Sequence, residues 1–181
     1  MLETNVKLSQ FSNYRIGGLA RYFFIAQGLE DIYRSVTLAQ IYKWPIFILG
    51  GGTNLLISDD GFDGLVLKPE LNFINLRTYD VLNLVEVGAG LPISKLLDFC
   101  IERGLSGLEW AGGLPGTVGG AVRGNAGAFK GEIKDSVIEV VSLKIMEVKL
   151  PYIVKRGRGE CGFDYRTSVF KKNSGQELIL T

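Results

Sequence analysis

The chain has 181 residues, 46% of them hydrophobic, and its 20 basic side chains against 19 acidic ones leave a formal net charge of +1. This is enough apolar material for one ordinary domain or two small lobes with a true core, and so even a balance provides no broad basic field for nucleic acid. There is no histidine, and Cys100 and Cys161 lack metal-ligand spacing, so Ser-His-Asp and Cys-His hydrolysis and the usual zinc sites are excluded and no metal is expected.

The elements are expected in the following order. Met1-Leu2-Glu3-Thr4-Asn5 has no basic stretch leading into an apolar one, and the longest apolar runs fall far short of the roughly 20 residues of a membrane span. A cytoplasmic, reducing setting without membrane attachment is therefore expected. Alternation and aromatic enrichment predict a strand over Arg21–Ala26, and Leu29, Ile32, Tyr33, Val36 and Ala39 carry helical spacing over Leu29–Tyr42. Strands follow at Pro45–Leu49, Leu65–Leu67 and Leu82–Val87. Ile93–Arg103 reads as an amphipathic helix with Leu96, Leu97, Cys100 and Ile101 inward and Gly104 as its stop. Val137–Val148, Tyr152–Lys155 and Glu177–Leu180 are β-rich. Lys155-Arg156-Gly157-Arg158 reads as a charged loop or edge strand. Mixed strands with two or three helices predict α+β in two lobes, divided as 1–70 and 71–181. The last strand runs into the end of the chain without a closing turn, which suggests either a terminal edge strand or part of something longer.

Two glycine clusters interrupt this pattern. Trp110 to Gly127 holds seven glycines in eighteen residues, with no helical or strand period. Such density implies positive φ or close approach at several points, and it exposes amides that can form a nest for an anion such as a diphosphate. Pro45–Leu49 runs into Gly50-Gly51-Gly52-Thr53-Asn54, after which Leu55-Leu56-Ile57 resumes an apolar run, giving the expectation of strand, glycine turn, strand. No Gly-Lys-Ser/Thr follows, so this is not a P-loop. Asp59, Asp60, Gly61 and Gly64 break up the long helix that a G-x-G-x-x-G fingerprint should open. Either loop taken singly also fits a plain tight turn.

Five segments together resemble a known family: Asn13-Tyr14-Arg15-Ile16-Gly17-Gly18; Leu49 to Leu56; Gly107-Leu108-Glu109; Gly113 to Ala121 with Asn125-Ala126-Gly127-Ala128; and Cys161 to Lys171. In this order they are similar to the successive signatures of the UDP-N-acetylenolpyruvoylglucosamine reductases, the MurB family of peptidoglycan synthesis. The resemblance implies a two-lobed FAD-binding fold of the vanillyl-alcohol-oxidase (PCMH) type. It places non-covalent FAD against Gly50, Gly51, Gly52, Thr53, Asn54 and Leu55, and against Gly112, Gly113, Leu114, Pro115, Gly116, Thr117, Gly119, Gly120 and Ala121, with Asn125. Amide dipoles rather than lysines would neutralise the pyrophosphate, since neither loop carries a basic residue of its own.

The implied reaction uses NADPH to reduce the flavin and the flavin to reduce UDP-N-acetylglucosamine enolpyruvate to UDP-N-acetylmuramate. Arg166 matches the family arginine aimed at the substrate carboxylate. Read without the family, it is an ion-pair partner of Asp164 or Glu160. Ser168 is not the proton donor implied by the family, which belongs to a later segment. That segment, a further lobe with this serine and a glutamate, is expected from a continuation or a partner chain. Phe129 stands where many relatives have tyrosine, and Leu143–Arg158 matches weakly. The alternatives are a non-catalytic FAD-binding module derived from such a reductase, and another flavin oxidoreductase of the same fold.

Overall fold

A computed structural model describes residues 1–79, 82–146 and 149–181. Its first sheet has the strand order β1-β2-β4-β3, from β1 (Leu2–Lys7), β2 (Leu19–Ala26), β3 (Ile46–Ile48) and β4 (Phe62–Pro69). β1 is antiparallel to β2, whereas β4 is parallel to both β2 and β3. Strand β4 carries the continuous buried run Gly64-Leu65-Val66-Leu67 because both faces of this central strand are covered, as expected where parallel pairing dominates. Helix α1 (Leu29–Ile41) covers one face with Ile32, Ser35, Val36 and Ala39, each completely buried apolar side chain contributing about 2 kcal/mol. Gly28 offers it no side-chain cap, but Glu30 and Asp31 lie in its first turn, where negative charge is favoured. The Asp31 carboxylate accepts from the Gln27 amide at 3.1 Å.

The remainder holds the hairpin β5 (Ile74–Tyr79)–β6 (Leu82–Val87), helix α2 (Ile93–Glu102), the short helix α3 (Val118–Gly124) and the small hairpin β7 (Gly127–Ala128)–β8 (Gly131–Glu132). A single helical turn, α4 (Ile133–Ser136), leads into β9 (Glu139–Lys144). Then come β10 (Tyr152–Gly157), the turn α5 (Val169–Lys172) and β11 (Glu177–Ile179), and these three strands form an antiparallel sheet ordered β10-β9-β11. No helix among the described residues is long and apolar enough to cross a membrane.

Core packing ties the halves together. Ala26, Ile32, Val36 and Leu67 of the first sheet and its helix share one buried cluster with Leu71, Leu143, Ile145, Leu178 and Leu180. The Ala89 amide donates to the Leu180 carbonyl at 2.9 Å, so the last strand also braces the approach to α2. Cys100 and Cys161 are buried free thiols, and burial pushes both above the ordinary thiol pKa. That leaves them as protonated packing groups.

Within the antiparallel sheet, Glu177 is buried at 3% exposure. Its carboxylate accepts from Ser142 Oγ at 2.6 Å and pairs with Arg156, while Lys144 Nζ stands 3.5 Å from the other oxygen, in ion-pair rather than hydrogen-bond geometry. Arg156 thus belongs to an edge strand and turns inward, away from its neighbours in the basic run.

The structure differs from expectation at the glycine clusters. Leu55-Leu56-Ile57 forms no strand, and pairing resumes only at Phe62, because the intervening chain is held by Ser12 and Gly18: Ser12 Oγ donates to the Leu55 carbonyl and the Gly18 amide to the Ser58 carbonyl. The second cluster contains a real helix, α3, where no period is visible. Four of its seven residues are glycine or alanine, so packing and capping decide its conformation rather than an apolar stripe. Strand β1 was also unforeseen. Of the β-rich stretch Val137–Val148, the last two residues lie outside the described residues.

Candidate cofactor site

Strand β3 delivers the chain through buried Leu49 into the first glycine loop. Gly52 adopts φ +65°, and a Cβ there would stand 1.7 Å from the Phe11 carbonyl oxygen, so only glycine fits. The Asn13 amide donates to the Gly52 carbonyl at 3.1 Å, and Ser12 Oγ to the Leu55 carbonyl at 2.8 Å. Segment Phe11–Asn13 therefore clamps the loop from outside. The amides of Gly50, Gly51, Gly52, Thr53 and Asn54 have no hydrogen-bond partner among the described residues. Successive unpaired N–H groups are the donors from which an anion-binding nest is made, and Gly50 and Gly51 of this run line a cavity.

The second loop lies directly against the first. A Cβ on Gly51 would come within 3.0 Å of Gly116 Cα, one on Gly50 within 3.0 Å of Thr117 Oγ1, and one on Gly116, at φ +105°, within 2.9 Å of Thr53 Oγ1. Its own amides are only partly free. Val118 and Gly119 donate to the carbonyls of Leu91 and Ala89 at 2.9 and 2.8 Å, and the Thr117 hydroxyl caps α3 by accepting from Gly120. Those of Gly113, Gly116 and Thr117 have no partner among the described residues. Gly119 is required where its Cβ would meet that of Ala89 at 2.8 Å. Ala121 is in the core and Leu114 packs against it, while Gly112, Gly113 and Pro115 lie on the exposed outer bend.

Gly50, Gly51 and Thr117 line a cavity of about 400 Å³, closed on its other sides by Gln10–Asn13, by Lys68–Glu70 and Asn72 at the end of β4, and by Gly90, Pro92 and Lys95. That is within the usual size of a small-molecule site and accommodates part of an extended dinucleotide. Lys68 is paired with Glu70. Sequence reasoning missed both lysines because they enter from β4 and α2 rather than from the glycine loops.

Asn125 and Arg166 lie elsewhere, at the far end of α3, which is roughly 10 Å long at 1.5 Å per residue. Asn125 terminates the helix in the left-handed region and is fully buried. Its amide nitrogen donates to Glu132 and to the Asp164 carbonyl at 3.2 and 3.0 Å, and its oxygen accepts from the Lys134 amide at 3.2 Å. Lys134 holds the Glu132 carboxyl below the ordinary range, with Asn125 assisting. Arg166, at φ +53°, occupies a reverse turn closed by reciprocal Asp164 and Thr167 backbone bonds of 3.1 Å. Its Nη2 donates to the Gly127 carbonyl at 2.6 Å. It forms no ion pair with Asp164 or Glu160 among the described residues. Ser168 is buried and donates to the Arg123 carbonyl at 2.7 Å, a structural position.

Beside Arg166, the β7–β8 turn places Phe129 and Lys130 at φ +48° and +68°, where Asn-Gly is the usual choice. Phe129 is 85% exposed. Glu109 accounts for its own signature: its carboxylate is held below the ordinary range by its own amide and by that of Gly107, the latter donating at 2.9 Å.

Paired glycine loops joined to a two-part α+β frame define an FAD-binding protein, and the FAD binding domain family matches residues 20–146. The chain belongs to that family, and FAD is its cofactor. Its relatives include UDP-N-acetylenolpyruvoylglucosamine reductases. The protein of that name from Synechocystis is 36% identical over 181 residues, covering 99% of this chain and 55% of its own length. The one from Synechococcus elongatus is 39% identical over 173 residues, covering 94% and 54%. The chain thus spans about half the length of these relatives.

Among solved structures, the reductase (MurB) from Thermus caldophilus superposes with a TM-score of 0.75 at 27% identity, over 99% of this chain and 60% of that one. Cholesterol oxidase from Brevibacterium sterolicum superposes at 0.73 with 15% identity, over 100% and 37%, a likeness of fold alone.

Proposed function

We propose that residues 1–181 are the flavin-holding part of an enzyme that reduces UDP-N-acetylglucosamine enolpyruvate to UDP-N-acetylmuramate with NADPH, in the cytoplasmic synthesis of peptidoglycan precursors. The observation that carries this reading is the close approach of Gly51 to Gly116, which brings together two amide-rich loops whose Gly50, Gly51 and Thr117 line one cavity. Lobes 1–70 and 71–181 each contribute one loop. Gly50–Leu55 and Gly112–Ala121 hold FAD, the former through its free amides and the latter mainly through Gly113, Gly116 and Thr117. Asn125, with all its polar groups engaged, acts by fixing the end of α3. When bound, FAD supplies a two-electron carrier between the nicotinamide and the alkene.

Hydride addition at one alkene carbon leaves negative charge on the neighbouring carbon and its carboxylate, and a preorganised cation lowers that barrier. Arg166 is assigned this role. Its bond to Gly127 orients the guanidinium and leaves other N–H groups for a carboxylate. Phe129, exposed beside it, offers an apolar wall without a hydroxyl.

The reading is tested by adding FAD to the purified protein, desalting it, and recording the visible spectrum and flavin fluorescence. Retained and quenched FAD is expected, and free FAD overturns the proposal. NADPH oxidation dependent on UDP-N-acetylglucosamine enolpyruvate then tests the reaction itself. FAD binding without that turnover restricts residues 1–181 to holding the cofactor.

A further inference from the structure

The glycine loops imply that amides alone meet the charge of the cofactor, yet the cavity they line contains three formally charged side chains: Lys68, Glu70 and Lys95. Lys68 and Glu70 neutralise each other. Lys95 has no hydrogen-bond or ion-pair partner among the described residues. It is the third residue of α2, a helix whose first turn holds no acidic side chain. A cation there stands at the positive end of the helix and shares the cavity lining with the unpaired amides of Gly50 and Gly51, both of which disfavour a further positive charge. The side chain is solvent-exposed, so water moderates that cost, and nothing in the fold itself holds the ammonium in place. A dianion in the cavity attracts the lysine and the amides alike, and these attractions outweigh the repulsion between them.

We infer that Lys95 is the side-chain counter-charge of the FAD diphosphate, reaching across from α2 to the anion cradled by the Gly50–Asn54 amides. The inference rests on the proposed use of this cavity for FAD. The geometry explains why one lysine is enough. The cavity lining carries a net charge of +1 once Lys68 and Glu70 cancel, and the amides meet the rest of the dianion. It also explains how loops without any basic residue hold a diphosphate: the cation comes from a neighbouring helix fixed to the second loop through the Ile93 amide, which donates to the Gly116 carbonyl at 3.0 Å. Lys95 is accordingly a cofactor-positioning residue, coupled to loop geometry but not to hydride transfer.

The experiment measures FAD affinity by fluorescence quenching for the parent, Lys95→Met and Lys95→Arg, from about 50 to about 500 mM NaCl, together with the melting temperature of each protein without FAD. Lys95→Met should weaken FAD about tenfold at low salt, the equivalent of one charge-assisted contact, and should flatten the salt dependence. Lys95→Arg should stay near the parent. Without FAD, Lys95→Met should melt close to the parent temperature, since an exposed lysine without a partner contributes little to the fold. Unchanged affinity and salt slope in Lys95→Met overturn the inference, as does a weakened affinity with the full salt slope or a lower melting temperature. A parent that fails to bind FAD overturns the proposed function and this inference together, whereas a parent that binds it while Lys95→Met is unaffected overturns only the lysine assignment.

Discussion

Arg166 donates through Nη2 to the Gly127 carbonyl at 2.6 Å, which anchors the guanidinium to the end of the same glycine-rich segment whose Thr117 lines the candidate cofactor cavity. Arg166→Lys keeps the charge but loses the planar fork. In a form that turns over the enolpyruvyl substrate, it should lower kcat by about tenfold to a hundredfold and leave FAD affinity unchanged, as read by parallel steady-state assays and FAD titrations. Loss of flavin along with rate would make Arg166 a structural residue.

Gly52 and Gly51 separate fold from ligand. At Gly52 the left-handed φ and the Phe11 carbonyl 1.7 Å from a Cβ leave no room. Gly52→Ala should cost about 2 kcal/mol or more in urea denaturation. Gly51→Ala meets the second loop less severely, at Gly116 Cα 3.0 Å away with Gly116 C and Thr117 N at 3.4 and 3.5 Å. It should cost less stability but prise the two loops apart, weakening FAD while the denaturation midpoint moves little.

Much of the fold could be read from periodicity. Helices α1 and α2 and strands β2, β4, β6 and β11 fall where apolar spacing placed them, but the buried stripe of α2 is Ile93, Leu96 and Cys100, and Ile101, expected inward, is 77% exposed because it lies one position past that stripe. Helix α3 could not be read in this way, being built of Gly119, Gly120 and Gly124 with its apolar contacts limited to Val118, Ala121 and Val122. Long-range bonds to Ala89 and Leu91 specify its start, and no local pattern encodes these. The glycine loops were legible as a pair, but their mutual contact was not. Lys95 was hidden for a related reason: on the helical pattern it is an ordinary polar-face residue, and only the tertiary arrangement brings that face to the cavity.

Glu177 is the centre of a buried charge cluster with Ser142, Arg156 and Lys144. Removing one member leaves the others uncompensated, so Glu177→Ala should destabilise by about 3 kcal/mol. The double variant Glu177→Leu with Arg156→Met should recover part of that loss. A double-mutant cycle by chemical denaturation gives the coupling, and strictly additive losses would contradict the cluster.

The Glu132 carboxyl is held below its ordinary pKa of 4.5 by Lys134. Its folded-state pKa is depressed, so its stabilising contribution is present above the unfolded value and disappears as pH falls through the folded one. Glu132→Gln should therefore melt below the parent at neutral pH and converge with it once the pH has fallen below the depressed folded-state value. The ion pair is partly exposed, and high salt should shrink the difference.

The shared cluster of Ala26, Ile32, Val36 and Leu67 with Leu178 and Leu180 sets a schedule for the nascent chain. A ribosome adding about 5–20 residues per second releases the first sheet and α1 well before the leucines that seal their inner face. Until Leu180 has left the exit tunnel, that face is open to water and to chaperones, and the glycine loops lack a fixed frame. Cofactor capture accordingly waits for β11 and Leu180, which complete the packing behind both glycine loops.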